Sequence, residues 1–247
     1  MSNQLKTIGD YWSDRSEEFS KYMKEHLDEE LSKDYYKLIR EAVNGRHLRA
    51  LDIGCGPGIA SMMLAEMGCE VFAIDWSEGM VKQVTENSKE RGLKIDIRRM
   101  DAQDLDFDDG FFDLVVSSRL VWNLPDPIKA YSEWLRVLKN DGTMVLYDGN
   151  YFLKTDGRKA HAPFEDDTEG PQMYQGADFR IIRNVAKELP LSKEVRPAWD
   201  VSALTSLGVF TIYIHMENYA PTDDGGRKVP STFVLVVEKE RKGDLIE

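Results

Sequence analysis

The sequence predicts an α/β domain built on a doubly wound, mostly parallel sheet, and three observations carry that reading. From His47 onward, short apolar runs alternate with amphipathic stretches at the intervals of β–α–β crossovers. The first run, "LDIGCGPGIA" (51–60), ends in an acid and then places glycine at 54, 56 and 58. Glycines this dense let a backbone pass close to a ligand. "FFDLVVSS" (111–118) is almost unbroken in apolar residues, as expected of a strand covered on both faces.

The first 45 residues read as helix. Phe19, Tyr22, Met23, Leu27, Leu31, Tyr35, Leu38 and Ile39 recur at gaps of three and four until Asn44-Gly45 breaks the pattern. "LRALDI" is then a strand, "GIASMMLAEMG" a helix, "EVFAID" a strand, and "SEGMVKQVTENSKERG" a helix with Ser77 as N-cap. "KIDIRRM" and "FFDLVVSS" are strands. "DPIKAYSEWLRVLKN" is a helix with Pro127 in its first turn, and "GTMVLYD" is the next strand. Residues 151–199 break the rhythm with prolines, glycines and charges, and read as an inserted cap. After the short helix "VSALTSLG" come "VFTIYIHME" and "STFVLVVEKE", joined by a turn-rich stretch with Asp-Asp-Gly-Gly. The expected organisation is a helical lid over 1–45, a core over 46–150 and 200–247, and the cap between its two parts.

Composition narrows the function. Lys and Arg number 32 against 44 Asp and Glu, a net charge of −12. Nucleic-acid binding through phosphates needs the opposite balance, so no nucleic-acid partner is expected. No run approaches 18 apolar residues and the N-terminus lacks a signal-peptide pattern, so no membrane partner is expected and the cytoplasm is the default location. The two cysteines, Cys55 and Cys69, do not make a disulfide framework. The four histidines are scattered without ligand spacing, so no metal is expected.

The glycine loop selects among nucleotide ligands. A dinucleotide fingerprint needs a small residue at its third site, and Ile59 or Ser61 stands there. A P-loop fails because no Lys-Ser or Lys-Thr follows. What the loop carries is Asp52 immediately before it, a charge that repels pyrophosphate. Asp75 closes the second strand, 21 residues after Gly54, about where an acid accepts ribose hydroxyls in doubly wound sheets. Asp101 closes the third strand, where it can accept from an adenine amino group while the Ala102 N–H serves the ring. Three acids along one crevice suit a nucleoside with positive charge and no phosphate, and S-adenosylmethionine matches. Simpler roles stay open: Asp52 as a loop tie, Asp101 as an N-cap, Trp76 as plain packing.

These motifs resemble the class I S-adenosylmethionine-dependent methyltransferases of the small-molecule type. The resemblance is carried by "LDIGCGPG" (51–58), "VFAIDWS" (71–77), "MDAQDL" (100–105), "FFDLVVSSRLVWNLPDP" (111–127) and the closing strand pair. It implies a seven-stranded Rossmann-like sheet whose last strand is antiparallel. It also implies Gly54 and Gly56 under the methionine portion, Asp75 on the ribose, and Asp101 and Ala102 at the adenine. Trp76 would lie on the adenine face, with Ser118 and Arg119 near the methionine end. A Tyr-Trp before the first helix would fold over the cofactor, with Tyr11 donating to its carboxylate and Arg15 pairing with it.

In-line methyl transfer needs the acceptor held in place, and a base only where the nucleophile starts with a proton to lose. The fourth strand lacks the Asn/Asp-Pro-Pro-aromatic motif of amide and base methylation, so the acceptor is expected to be a small molecule. Asn123 or Asn150 would orient it, Asp148 is a candidate base, and Asp148, Asn150 and Tyr151 would face the crevice. Turn chemistry is the simpler role for these Asp and Asn residues. His161 and the acids of Glu165–Glu169 are expected to be solvated. Two rivals share the cofactor: a lyase or cyclase that consumes it, and a protein that binds it without catalysis.

Overall fold

The computed structural model describes residues 3–152, 154–155, 158–159, 177–220 and 229–240. Its centre is a seven-stranded sheet in the order β3-β2-β1-β4-β5-β9-β8. The strands are β1 (Arg49–Ile53), β2 (Glu70–Asp75), β3 (Ile95–Arg99), β4 (Phe112–Ser118), β5 (Leu138–Gly149), β8 (Thr211–Ala220) and β9 (Val229–Glu238). β1 to β5 run parallel, and β9 is antiparallel to both β5 and β8. β6 (Lys154–Thr155) and β7 (Arg158–Lys159) form a separate small ribbon.

Alternation along each central strand feeds two cores. Leu51 and Ile53 of β1 join Tyr131 and Trp134 of α7 (Pro127–Val137) and Leu204 of α9 (Ala198–Ser206). Ala50 faces the other way, with Tyr35 and Ile39 of α4 (Asp34–Val43) and Leu64 of α5 (Ile59–Glu66). Both faces are therefore covered, which is why β1 and β4 read as mostly apolar. Chain order reverses between β1 and β4, and the carboxyl ends of these strands open a crevice at that switch point.

Caps set the helix starts around the crevice. The Ser77 hydroxyl accepts from the Met80 N–H at 3.2 Å and begins α6 (Glu78–Glu90). Asp126 accepts from the Lys129 N–H at 3.0 Å with Pro127 at the first position of α7.

Two expectations are corrected. The first 45 residues hold four helices: α1 (Asn3–Asp14), α2 (Ser16–Glu25), α3 (Leu27–Leu31) and α4. Tyr11 and Trp12 therefore lie inside α1, not ahead of the first helix. The helix before β5 stops at Val137, and β5 starts at Leu138 rather than Gly142. The described part of 151–199 carries α8 (Phe179–Ala186) and a 3-10 turn at Pro190–Lys193. His161 and the Glu165–Glu169 acids lie outside the described residues.

Candidate active site

The crevice is a cavity lined by the glycine loop, the tips of β2, β3 and β4, and the helices α1 and α2. Its floor is the loop after β1. Gly54 and Gly56 take φ of 67° and 53°, a left-handed backbone that a side chain resists. The N–H groups of Gly54 and Cys55 donate to the Ile74 carbonyl at 2.8 and 3.0 Å. The Gly56 N–H donates to Asp75 Oδ2 at 2.9 Å, and the Ser77 N–H to Asp75 Oδ1 at 2.9 Å. Asp75 thus braces the loop from the end of β2. Burial pushes its carboxyl up to about 6 against these donors.

Asp52 is 2% exposed and also lines the cavity. Its Oδ2 accepts from the Ser61 hydroxyl of α5 at 2.5 Å. Burial pushes it up to about 7; the Ser61 bonds oppose this and the nearby Asp75 charge adds to it. Asp101 lines the cavity at the end of β3, and its Oδ1 accepts from both the N–H and the side-chain amide of Gln103 at 2.9 Å. Ala102 beside it is buried, with its carbonyl accepting from Trp134 Nε1. Trp76 lines the cavity with the Arg99 guanidinium 5.0 Å from its ring.

At the end of β4, Ser118 and Arg119 line the cavity. Arg119 takes φ of 55°, its N–H donates to the Tyr147 carbonyl at 2.7 Å, and its guanidinium meets Glu30 of α3. Burial pushes the guanidinium down, and the facing Tyr151 and Glu30 raise it above the ordinary value. The roof is α1 and α2. Tyr11, Trp12, Arg15 and Phe19 line the cavity, and Arg15 lies over the Trp12 ring at 4.9 Å and donates to the Tyr11 hydroxyl at 3.2 Å. Tyr11 accepts from Arg15 here, and its own O–H is a separate donor.

The acceptor-side expectations divide. Asn123 follows β4 in a 3-10 turn, is 4% exposed, and its Oδ1 has no hydrogen-bond partner among the described residues. It lines the cavity with Trp122, Tyr151, Phe152 and Phe179. Asp148 and Asn150 do not face the crevice. Asp148 accepts from the Trp122 and Gly149 N–H groups and lies 2.9 Å from Arg196. Asn150 bonds both the N–H and the carbonyl of Arg196. Their position at the end of β5 is right, but two buried partners turn them inward. Glu30, Gln103, Arg196 and Asp200 were not singled out. Each is a charged or amide residue in a polar stretch, with no spacing to mark it as buried.

The donor set can be tested against the sulfonium nucleoside. A Cβ on Gly56 would meet only Phe19 at 3.9 Å, so the loop backbone opens onto the cavity. Two carboxylates with raised affinity for protons lie beneath it. An uncompensated buried carboxylate favours a cationic neighbour and opposes a phosphate. The residues present fit S-adenosylmethionine.

Known proteins point the same way. A family model described as a methyltransferase domain matches residues 51–146. A phosphatidylethanolamine N-methyltransferase of Cereibacter sphaeroides is 37% identical over 151 residues, 58% of this chain and 70% of that protein. A ubiquinone biosynthesis O-methyltransferase of Methylococcus capsulatus is 34% identical over 107 residues, 43% of this chain and 45% of that protein. The chain thus spans less than half the length of that second relative. Among solved structures, one titled a putative sarcosine dimethylglycine methyltransferase from Galdieria sulphuraria matches with a TM-score of 0.60 at 15% identity, over 84% of each chain. It shares the fold.

Proposed function

The chain belongs to the S-adenosylmethionine-dependent methyltransferases, and from that premise we propose that it methylates a small molecule with an apolar, ring-bearing body. Asn123 carries this reading. A buried carboxamide oxygen without a partner costs free energy, of order 1–3 kcal/mol, unless something donates to it. An N–H or O–H beside the reacting atom of the acceptor supplies that donor. Trp122, Phe152 and Phe179 surround it with aromatic faces suited to a flat or aliphatic body.

Bound S-adenosylmethionine supplies a methyl group already activated on a sulfonium. The chain's own work is to bind, orient and exclude water. Asp75 accepts from ribose hydroxyls, and Asp101 with the Ala102 N–H takes the adenine edge between Trp76 and the β3 tip. Gly54 and Gly56 let the methionine portion lie on the loop. Ser118 and Arg119, with Tyr11 and Arg15 overhead, enclose its amino-acid end. Residues 1–45 serve as lid and 151–199 as acceptor cap around the 46–150 and 200–247 core. Relatives named for N-methylation and for O-methylation both match the chain, and the reading covers either atom.

The test is transfer of a labelled methyl group from S-adenosylmethionine to a panel of ring-bearing amines and phenols, set against small zwitterions. Turnover of ring-bearing acceptors is expected. Asn123→Ala should lower kcat/KM by about 10–100-fold, with S-adenosylhomocysteine affinity unchanged. Turnover confined to zwitterions, or equal loss of cofactor affinity in the variant, would discard the acceptor assignment.

A further inference from the structure

Behind the acceptor wall lies a buried charge cluster that the chemistry above does not use. Arg196 is 1% exposed, Asp148 1% and Asp200 0%. Arg196 Nη1 lies 2.9 Å from Asp148 Oδ2. Its other face is held by Asp200, with Nε 2.9 Å from Oδ2 and Nη2 2.6 Å from Oδ1. The Tyr131 hydroxyl donates to the same Asp200 Oδ1 at 2.5 Å. Asn150 fixes the Arg196 backbone through its N–H at 3.0 Å and its carbonyl at 2.8 Å. The guanidinium therefore sits in a frame that leaves one arm for Asp148.

Asp148 passes that restraint to the cavity. Its Oδ2 accepts from the Trp122 N–H at 3.0 Å. Trp122 and Asn123 are consecutive in one 3-10 turn, Val121–Asn123. A 3-10 turn of three residues has few internal bonds, so an outside acceptor on its backbone restrains it, beside the bond from Trp122 Nε1 to the Arg119 carbonyl at 2.8 Å. Removing a buried charge partner frees the other at a cost larger than the pair's own worth. We infer that Arg196 is a positioning residue: by clamping Asp148 it fixes the Trp122–Asn123 turn, and with it the carboxamide that meets the acceptor. The inference rests on the reading that Asn123 faces the acceptor. It assigns Asp148 a positioning role, not a proton-accepting one.

The experiment uses the full chain labelled with ¹⁵N-tryptophan and loaded with S-adenosylhomocysteine. Amide exchange is followed at Trp122 and at Trp134, which lies in α7 within the core and outside the cluster's bonds. In Arg196→Met, Trp122 exchange should rise at least tenfold relative to Trp134, while the S-adenosylhomocysteine Kd stays within threefold. Arg196→Lys should restore part of the difference. Equal acceleration of both tryptophans means general destabilisation and overturns the inference, as does an unchanged Trp122. If Arg196→Met does not fold, Arg196→Lys and Asp148→Asn give the same comparison with the same two outcomes. Wild-type protein that fails to bind S-adenosylhomocysteine counts against the cofactor assignment alone, because the Trp122 comparison is then made on the free chain.

Discussion

Arg119, at the tip of β4, donates from one nitrogen to both carboxylate oxygens of Glu30, at 2.9 and 3.3 Å across 89 residues of sequence. The pair joins α3 to the strand that ends at the cavity. The Glu30 side chain is 7% exposed and that of Arg119 23%, so water screens the pair little. Lys33 also pairs with Glu30. Burial pushes the Glu30 carboxyl up, but Arg119 and Lys33 outweigh it and hold the group below the usual range.

A depressed carboxyl stabilises the fold above its unfolded value, about 4.3, and loses that contribution as pH falls through the lower folded value. Glu30→Gln should therefore cost about 1–3 kcal/mol at pH 7. The gap to wild type should shrink as pH falls from 7 to 3, because the unfolded chain takes up a proton there that the native Glu30 resists. Urea unfolding at the two pH values reads it, and an equal gap at both would remove the charge argument.

Asp52 runs the other way. Its folded value of about 7 lies above the unfolded value of about 3.9. The native chain then holds a proton that the unfolded chain releases, so stability is highest below about pH 4 and falls as pH rises through 7. Asp75, at about 6, adds to the same slope. Without ligand, the melting temperature should drop between pH 5.5 and 8. Asp52→Asn should flatten that slope and raise stability at pH 8 by on the order of 1–3 kcal/mol, about 2–4 °C for each kcal/mol. The Ser61 hydroxyl can turn to accept from the new amide. Asp75→Asn should not help, because its amide would face the Gly56 and Ser77 N–H groups. Melts of the three proteins across this range decide it.

The same two carboxylates link ligand binding to protons. A cationic nucleoside favours their ionised forms, so binding below pH 7 should release protons and tighten as pH rises from about 5.5 to 8. Calorimetry of S-adenosylmethionine binding in two buffers of different ionisation enthalpy measures the release. Proton uptake at pH 6, or affinity flat across the range, contradicts the placement of positive charge near Asp52.

The sheet was legible because its signals are local. β1, β2 and β4 are mostly buried on both faces, and the motif acids stand at or beside strand ends. The spacing from Gly54 marked Asp75 for ribose hydroxyls and left the loop tie to Asp52; that Asp75 braces the loop through two backbone N–H groups was not legible. The inward turn of Asp148 and Asn150 was not legible, since it depends on Arg196, 46 residues beyond Asn150 and in no periodic pattern. Glu30 was hidden for a similar reason. "LDEEL" reads as a solvated acidic face, and Arg119, positioned by the left-handed turn after β4, joins Lys33 in holding one of its acids inside.

Gly79 tests how closely the roof is seated. It is the second residue of α6, where alanine normally gains up to about 1 kcal/mol over glycine. Here a Cβ would stand 2.5 Å from Ser16 Oγ, 2.7 Å from the Ser13 carbonyl oxygen and 2.8 Å from Ser13 Cα. The first neighbour is a small side chain, but the other two are backbone, so relief requires the α1–α2 corner to lift. Lifting breaks the bond from the Gly79 N–H to Ser13 Oγ at 3.3 Å and the Ser13–Ser77 hydroxyl pair at 2.9 Å. It also moves Tyr11, Trp12 and Arg15 away from the cavity they line. Gly79→Ala should therefore speed trypsin cleavage within residues 3–25 and weaken S-adenosylhomocysteine binding about tenfold, while far-ultraviolet circular dichroism stays unchanged. Adding Ser16→Gly removes the hydroxyl contact and leaves both backbone contacts, so it should not rescue binding. Recovery in that double variant, or a Gly79→Ala protein that binds as wild type does, would mean the roof is held less tightly than these contacts require.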